Sequence, residues 1–241
     1  MNQFSNLLIT PETEISEIVF KYPKAILFLE HFDVKLPLQA LTVKKTCEVY
    51  GISSDLFIAF ANLYIDKGNA QNPNLKISDL PLIINYLKNS HKYYLNEIYP
   101  NIQQCIQNIQ SLNDFSEIKM VDKFFKDYFK EVVEHLDYEN NVAFPYFTDL
   151  YNRFTKSGAD ELAKSYSVTD YKEHHSDIEE KLDDLMSLLI KYLPVKNDRQ
   201  ERRKLFLYLV QLDFDLKVHA NIEDLILVPL VEKLEHQLRR I

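Results

Sequence analysis

The chain carries one set of candidate metal donors twice. His91, His135 and Glu139 are each followed, 84 residues on, by His175, His219 and Glu223. Pro145 and Pro229 keep the same register, each ten residues beyond the second histidine of its half. In both halves the first histidine leads the second by 44 residues. Such a repeat restricts the fold to two equivalent halves, each presenting two imidazoles and a carboxylate. Matched sets of this kind are what a binuclear metal site needs.

Glycine is scarce: Gly51, Gly68 and Gly158 are the three in 241 residues. So few points of backbone freedom favour long helices over turn-rich β architecture. The expected class is therefore all-α. A net charge of −8 leaves no basic surface for nucleic acid or an anionic membrane. Cys47 and Cys105 form no CxxC pattern, which fits a reducing compartment. No secretory signal is read over Met1–Glu14, and apolar runs such as Leu56–Ile65 are too short to span a bilayer. The expectation is a soluble cytoplasmic protein.

Thr10-Pro11-Glu12 has the pattern of a helix start, and a helix is expected from there to about His31. Pro37 falls in the break that follows. Thr42–Tyr50 reads as a short helix ending at Gly51, and Ser53 or Ser54 as the cap of another reaching about Lys67. Gly68–Asn74 is polar and contains Gly and Pro, so it reads as a linker. It divides a small helical domain, residues 1–70, from a larger one, residues 76–241. Four long helical patterns follow. The first opens at Ser78 or Asp79 and runs past His91 to about Tyr99, where Pro100 interrupts or ends it. The others span Ser116 to about Phe154, Thr169 to Tyr192, and Asp198 to about Leu238. Pro145 and Pro229 are expected to kink the second and fourth. Four long helices with short connections suggest an up-down-up-down four-helix bundle. Leu, Ile and Phe at spacings of three and four are its core, and 15 Tyr and 15 Phe fill it in the absence of Trp.

His135-Leu-Asp-Tyr-Glu139 and His219-Ala-Asn-Ile-Glu223 are both His-x-x-x-Glu. Positions i and i+4 share one helix face, so each pair can reach one metal or adjacent metals. His91 and His175 fall on the other two long helices. Four histidine nitrogens, two bridging glutamates and an oxo or hydroxo bridge give about five ligands to each six-coordinate metal, leaving roughly one open position apiece. Mixed nitrogen and oxygen ligation without thiolate suits iron or manganese, whereas zinc prefers fewer ligands in tetrahedral geometry. His31 and His236 have no partner at the repeat offset. His174 is about 100° around the helix from His175, and His175 holds the register. Glu131 and Asp215 also match at the offset, each four residues before a histidine donor. They read either as acceptors for an imidazole N–H or as solvated acids.

At these residues the chain resembles the hemerythrin-like di-iron family. The runs His135–Pro145 and His219–Pro229 resemble its paired His-x-x-x-Glu-x-x-x-x-x-Pro signatures. His175-Ser-Asp-Ile-Glu-Glu-Lys-Leu resembles its third-helix motif, and the likeness covers roughly residues 78–240. Oxygen-carrying hemerythrins use five histidines and two carboxylates. Four histidines with two glutamates resemble instead the branch named for repair of iron centres. Residues 14–65 resemble that branch's small accessory domain, with Thr42–Ile52 matching its short helix. Leu36-Pro37 stands where adjacent cysteines are usual, so the thiol chemistry of that pair has no residues here. Cys47 reads as a small buried residue.

The resemblance implies two iron ions, oxo- or hydroxo-bridged. His91, His135, His175 and His219 would be terminal ligands, and Glu139 and Glu223 would bridge. It implies a stress-response protein that helps restore iron–sulfur clusters damaged by nitric oxide or oxidation. The expected partners are O2 and NO, with iron–sulfur proteins; neither nucleic acid nor membrane is expected, and a homodimer is admitted. Two alternatives stand beside this: an oxygen or nitric-oxide sensor, and a nitric-oxide-reducing redox enzyme. No flavin or nicotinamide motif occurs, so electrons would come from elsewhere.

Overall fold

The computed structural model describes residues 8–65, 75–113, 116–156, 166–174, 180–191 and 197–239. Among these residues the chain is all-helical and contains no strand. One isolated bridge joins Glu14 to Thr42. No described helix is long and apolar enough to cross a membrane. The contacts divide the chain into two units, residues 1–89, 147–161 and 218–241, and residues 90–146 and 162–217. The linker expected at Gly68–Asn74 lies outside the described residues.

The first unit opens with α1 (Ile15–Lys21) and α2 (Ala25–His31). One helix to His31 was expected, and Pro23 is the reason there are two. Its ring forces the preceding residue out of the helical region, and Tyr22 lies at φ −129 and ψ 80. Thr10-Pro11 closes a turn rather than a helix: Thr13 N–H bonds Thr10 O at 3.1 Å, and Thr10 N–H bonds Thr13 Oγ1 at 2.9 Å. Helix α3 (Val43–Tyr50) forms as its caps dictate. Thr42 Oγ1 accepts Lys45 N–H at 3.3 Å, and Gly51 ends the helix at φ 67. Ser53 Oγ accepts Leu56 N–H at 3.2 Å to start α4 (Ser54–Ile65).

A 3-10 turn over Ile77–Asp79 leads into α5 (Leu80–Tyr93), with Asp79 Oδ2 accepting Lys76 N–H at 2.9 Å. The unit's core is aromatic. Phe28 meets Phe57 edge-on at 4.7 Å, and Tyr86 of α5 meets Phe32 at 4.7 Å and Phe60 at 4.8 Å. Such pairs each add about 0.5–1.5 kcal/mol beyond the area they bury. The Tyr86 hydroxyl is not stranded there, because it donates to Tyr64 Oη at 2.9 Å. The Asn89 amide donates to His31 O at 3.0 Å and Asp33 Oδ2 at 2.8 Å, tying α5 to the end of α2.

The second unit draws its core from α6 (Tyr99–Leu112), α7 (Ser116–Tyr138), α10 (Glu180–Lys191) and α11 (Arg199–Ile222). Ile102, Ile106 and Ile109 form one buried stripe, and Val121, Phe125, Tyr128, Val132 and Leu136 another. Leu205, Leu209, Leu212 and Leu216 supply a third. The spacings of three and four put each stripe on one helix face. Each fully buried Ile or Leu stabilises by about 1.5–3 kcal/mol. Asp198 precedes α11 and accepts from the Asn113 amide at 3.0 Å and from Arg202 Nη2 at 2.7 Å. Ser167 opens α9 (Val168–His174), one residue earlier than expected.

The three mid-helix prolines do not end their helices. A π-helical turn precedes each of them: Tyr94–Ile98 before Pro100, Glu139–Ala143 before Pro145, and Glu223–Leu227 before Pro229. Proline offers no N–H and its ring clashes with the carbonyl four residues back. Widening the turn ahead of it by one residue absorbs this. The N–H groups of Tyr99, Phe144 and Val228 reach back five residues, to the carbonyls of Tyr94, Glu139 and Glu223. Helix α7 therefore continues into α8 (Phe144–Lys156), and α11 into α12 (Val228–Leu238).

Candidate metal centre

Glu139 and Glu223 each occupy the first position of a π turn, immediately after the helix that carries the histidine four residues earlier. His135 lies in the last turn of α7, and its Nε2 is 3.3 Å from Glu139 Oε1. His219 lies in the last turn of α11, and its Nε2 is 3.3 Å from Glu223 Oε1. Both pairs thus have the one-turn geometry that their spacing implies. His91, near the end of α5, brings Nε2 to 3.3 Å from the other Glu139 oxygen, Oε2. One carboxylate therefore faces an imidazole at each of its two oxygens. His91 and Glu139 are among the buried residues that could help to hold a metal ion. His175 lies outside the described residues.

The surroundings of Glu139 make this arrangement chemically pointed. The side chain is fully buried, and no Lys or Arg among the described residues pairs with it. Burial by itself pushes the carboxyl up, but His135 and His91 outweigh it and hold the group well below the ordinary carboxylate range. A buried anion of this kind needs positive charge beside it. Oε1 accepts the Tyr171 hydroxyl at 3.0 Å, whereas no hydrogen-bond donor is aligned on Oε2.

His91 is oriented from its far side. Its Nδ1 lies 3.1 Å from Asn140 Oδ1, and its ring stacks on Phe144 with centroids 5.5 Å apart. An amide oxygen can only accept, so Nδ1 carries the proton and Nε2 is the nitrogen turned toward Glu139. Such a partner fixes a metal-binding imidazole in the correct tautomer. The donor set, the unmatched Oε2 and the tautomer of His91 all fit a divalent cation with mixed nitrogen and oxygen ligation.

Two residues that complete this environment escape the repeat. Asn140 would correspond to Asp224, which is exposed, and Tyr171 to Leu87, which has no hydroxyl. A weaker signal did point to Tyr171: it lies four residues before His175, as Glu131 and Asp215 lie before their histidines. Those two acids take different roles. Glu131 is half exposed and pairs with Lys181, so the solvated reading holds for it. Asp215 is buried and accepts the Tyr94 hydroxyl at 2.9 Å. Cys47 is buried, and burial pushes its thiol up to about 11, as suits an inert packing residue.

Comparison with known proteins gives no match: no family model, curated protein or solved structure aligns with this chain.

Proposed function

We propose that the chain is a di-iron protein of the hemerythrin-like kind, of the branch that helps restore iron–sulfur clusters after nitric-oxide or oxidative damage. In this reading the long helices make an up-down-up-down bundle. His91, His135, His175 and His219 hold the two ions, and Glu139 and Glu223 bridge them. The observation that carries the proposal is Glu139, a fully buried carboxylate with an imidazole nitrogen 3.3 Å from each oxygen. The repeated His-x-x-x-Glu at His219 and Glu223, with the same 3.3 Å spacing, supports it. An iron pair held by imidazoles and bridging carboxylates supplies open positions for small diatomic ligands and a means of exchanging single electrons.

The chain's own contribution is to hold that chemistry in a dry, oriented setting. Asn140 fixes the His91 tautomer, and Tyr171 fixes one oxygen of Glu139. Burial keeps water from competing for the donors. The expected ligands are O2 and NO, and the expected protein partners are damaged iron–sulfur proteins.

Metal analysis of the purified protein tests the reading, with optical spectra taken aerobically and anaerobically, with and without nitric oxide. Two irons per chain are expected, and they should be lost in Glu139→Leu plus Glu223→Leu. A chain that takes up no iron, or a double variant that keeps both ions, overturns it. Repair is tested by adding the iron-loaded protein to a nitric-oxide-damaged iron–sulfur enzyme and following the return of its activity. Reversible O2 binding without any such recovery would point to a sensor.

A further inference from the structure

The two oxygens of Glu139 are not equivalent. Oε1 accepts the Tyr171 hydroxyl at 3.0 Å and faces His135 Nε2 at 3.3 Å. Oε2 faces His91 Nε2 at 3.3 Å and has no aligned hydrogen-bond donor. A hydrogen bond draws electron density from the oxygen that accepts it, so the bonded oxygen is the weaker metal donor. Tyr171 is 1% exposed, which shields this bond from exchange with solvent. On the Oε2 side His91 is already set, with Nδ1 on Asn140 Oδ1 and Nε2 turned inward.

We infer that Tyr171 is a positioning residue that makes the two metal positions unequal, so that the first ion binds on the His91 side of Glu139 and the second on the His135 side. This rests on the di-metal reading above. It adds an order of loading, and it assigns that order to a phenol that touches the carboxylate rather than to any ligand. No covalent or redox step is involved.

Anaerobic titration of the full chain with cobalt(II) tests the inference, because the visible absorption of cobalt reports each ion's coordination. Two equivalents of unequal affinity are expected in the unaltered protein. Tyr171→Phe, which removes only the hydroxyl, should narrow the gap and shift the spectrum of the second equivalent, whose ion binds the oxygen that Tyr171 touches. A purely structural role for Tyr171 would lower the melting temperature of the metal-free protein and leave the spectrum unchanged. His91→Ala should remove the tight equivalent, whereas His135→Ala should spare it, and this comparison stands even if the tyrosine variant folds poorly. Unchanged affinities and spectrum in Tyr171→Phe, or loss of the tight equivalent in His135→Ala, overturns the inference alone. Unaltered protein that binds neither cobalt nor iron overturns the di-metal reading with it.

Discussion

In the proposed metal centre, Asn140 would act without touching the metal. Its side-chain oxygen faces His91 Nδ1 at 3.1 Å and so selects which ring nitrogen is left for an ion. Replacing it with Leu keeps similar bulk and removes the acceptor. Asn140→Leu is expected to weaken metal binding by about 10–100-fold. Competition against a chelator of known affinity measures this. The repeat could not have flagged the residue, because its counterpart is the exposed Asp224. The candidate donors could be picked out from spacing: His91, His135, Glu139, His219 and Glu223 stand out because a metal demands particular atoms at fixed spacings. Residues that support donors answer to local geometry instead, and different side chains can meet the same need in the two halves.

Among the elements, the cap read at Ser53 and the helix end read at Gly51 hold, whereas Thr10 closes a turn and Thr42, read as part of a helix, caps it. Thr42, Ser53 and Gly51 each do what their chemistry requires at a helix end. Gly51 allows a clean measurement, because a methyl group added there would meet no atom within 4 Å. Any loss in Gly51→Ala therefore reflects the left-handed backbone at φ 67. Denaturant unfolding should show a loss of about 1–2 kcal/mol. The prolines were harder to read, because one residue type produces two outcomes. Pro23 splits α1 from α2, two helices of seven residues each. Pro100, Pro145 and Pro229 sit in long helices, and there a wider turn precedes each proline instead of a break. Local sequence states the conflict at each proline, and the outcome follows the length of the flanking helices.

For the molecule as a whole, the buried carboxylate links pH to stability. The Glu139 carboxyl is held below its ordinary value of 4.5. It therefore contributes stability that is fully present above about 4.5, the value expected unfolded, and is lost as pH falls through the folded value. Metal-free Glu139→Gln should lack this dependence, and acid unfolding followed by circular dichroism should show a shallower slope below pH 4.5 than in the unaltered protein. An equally steep slope would mean that other carboxylates dominate acid unfolding. The π turns have a consequence of a different kind. At two of them a candidate glutamate donor sits on the wide turn of an otherwise tight helix. A hydrated ion sheds its water in stages, and its ligands must close on it as each molecule leaves. A compliant joint at the donor permits that closing while the rods on either side stay packed. Capture of the ion would then require a few backbone dihedrals to adjust, and the helices could remain in place.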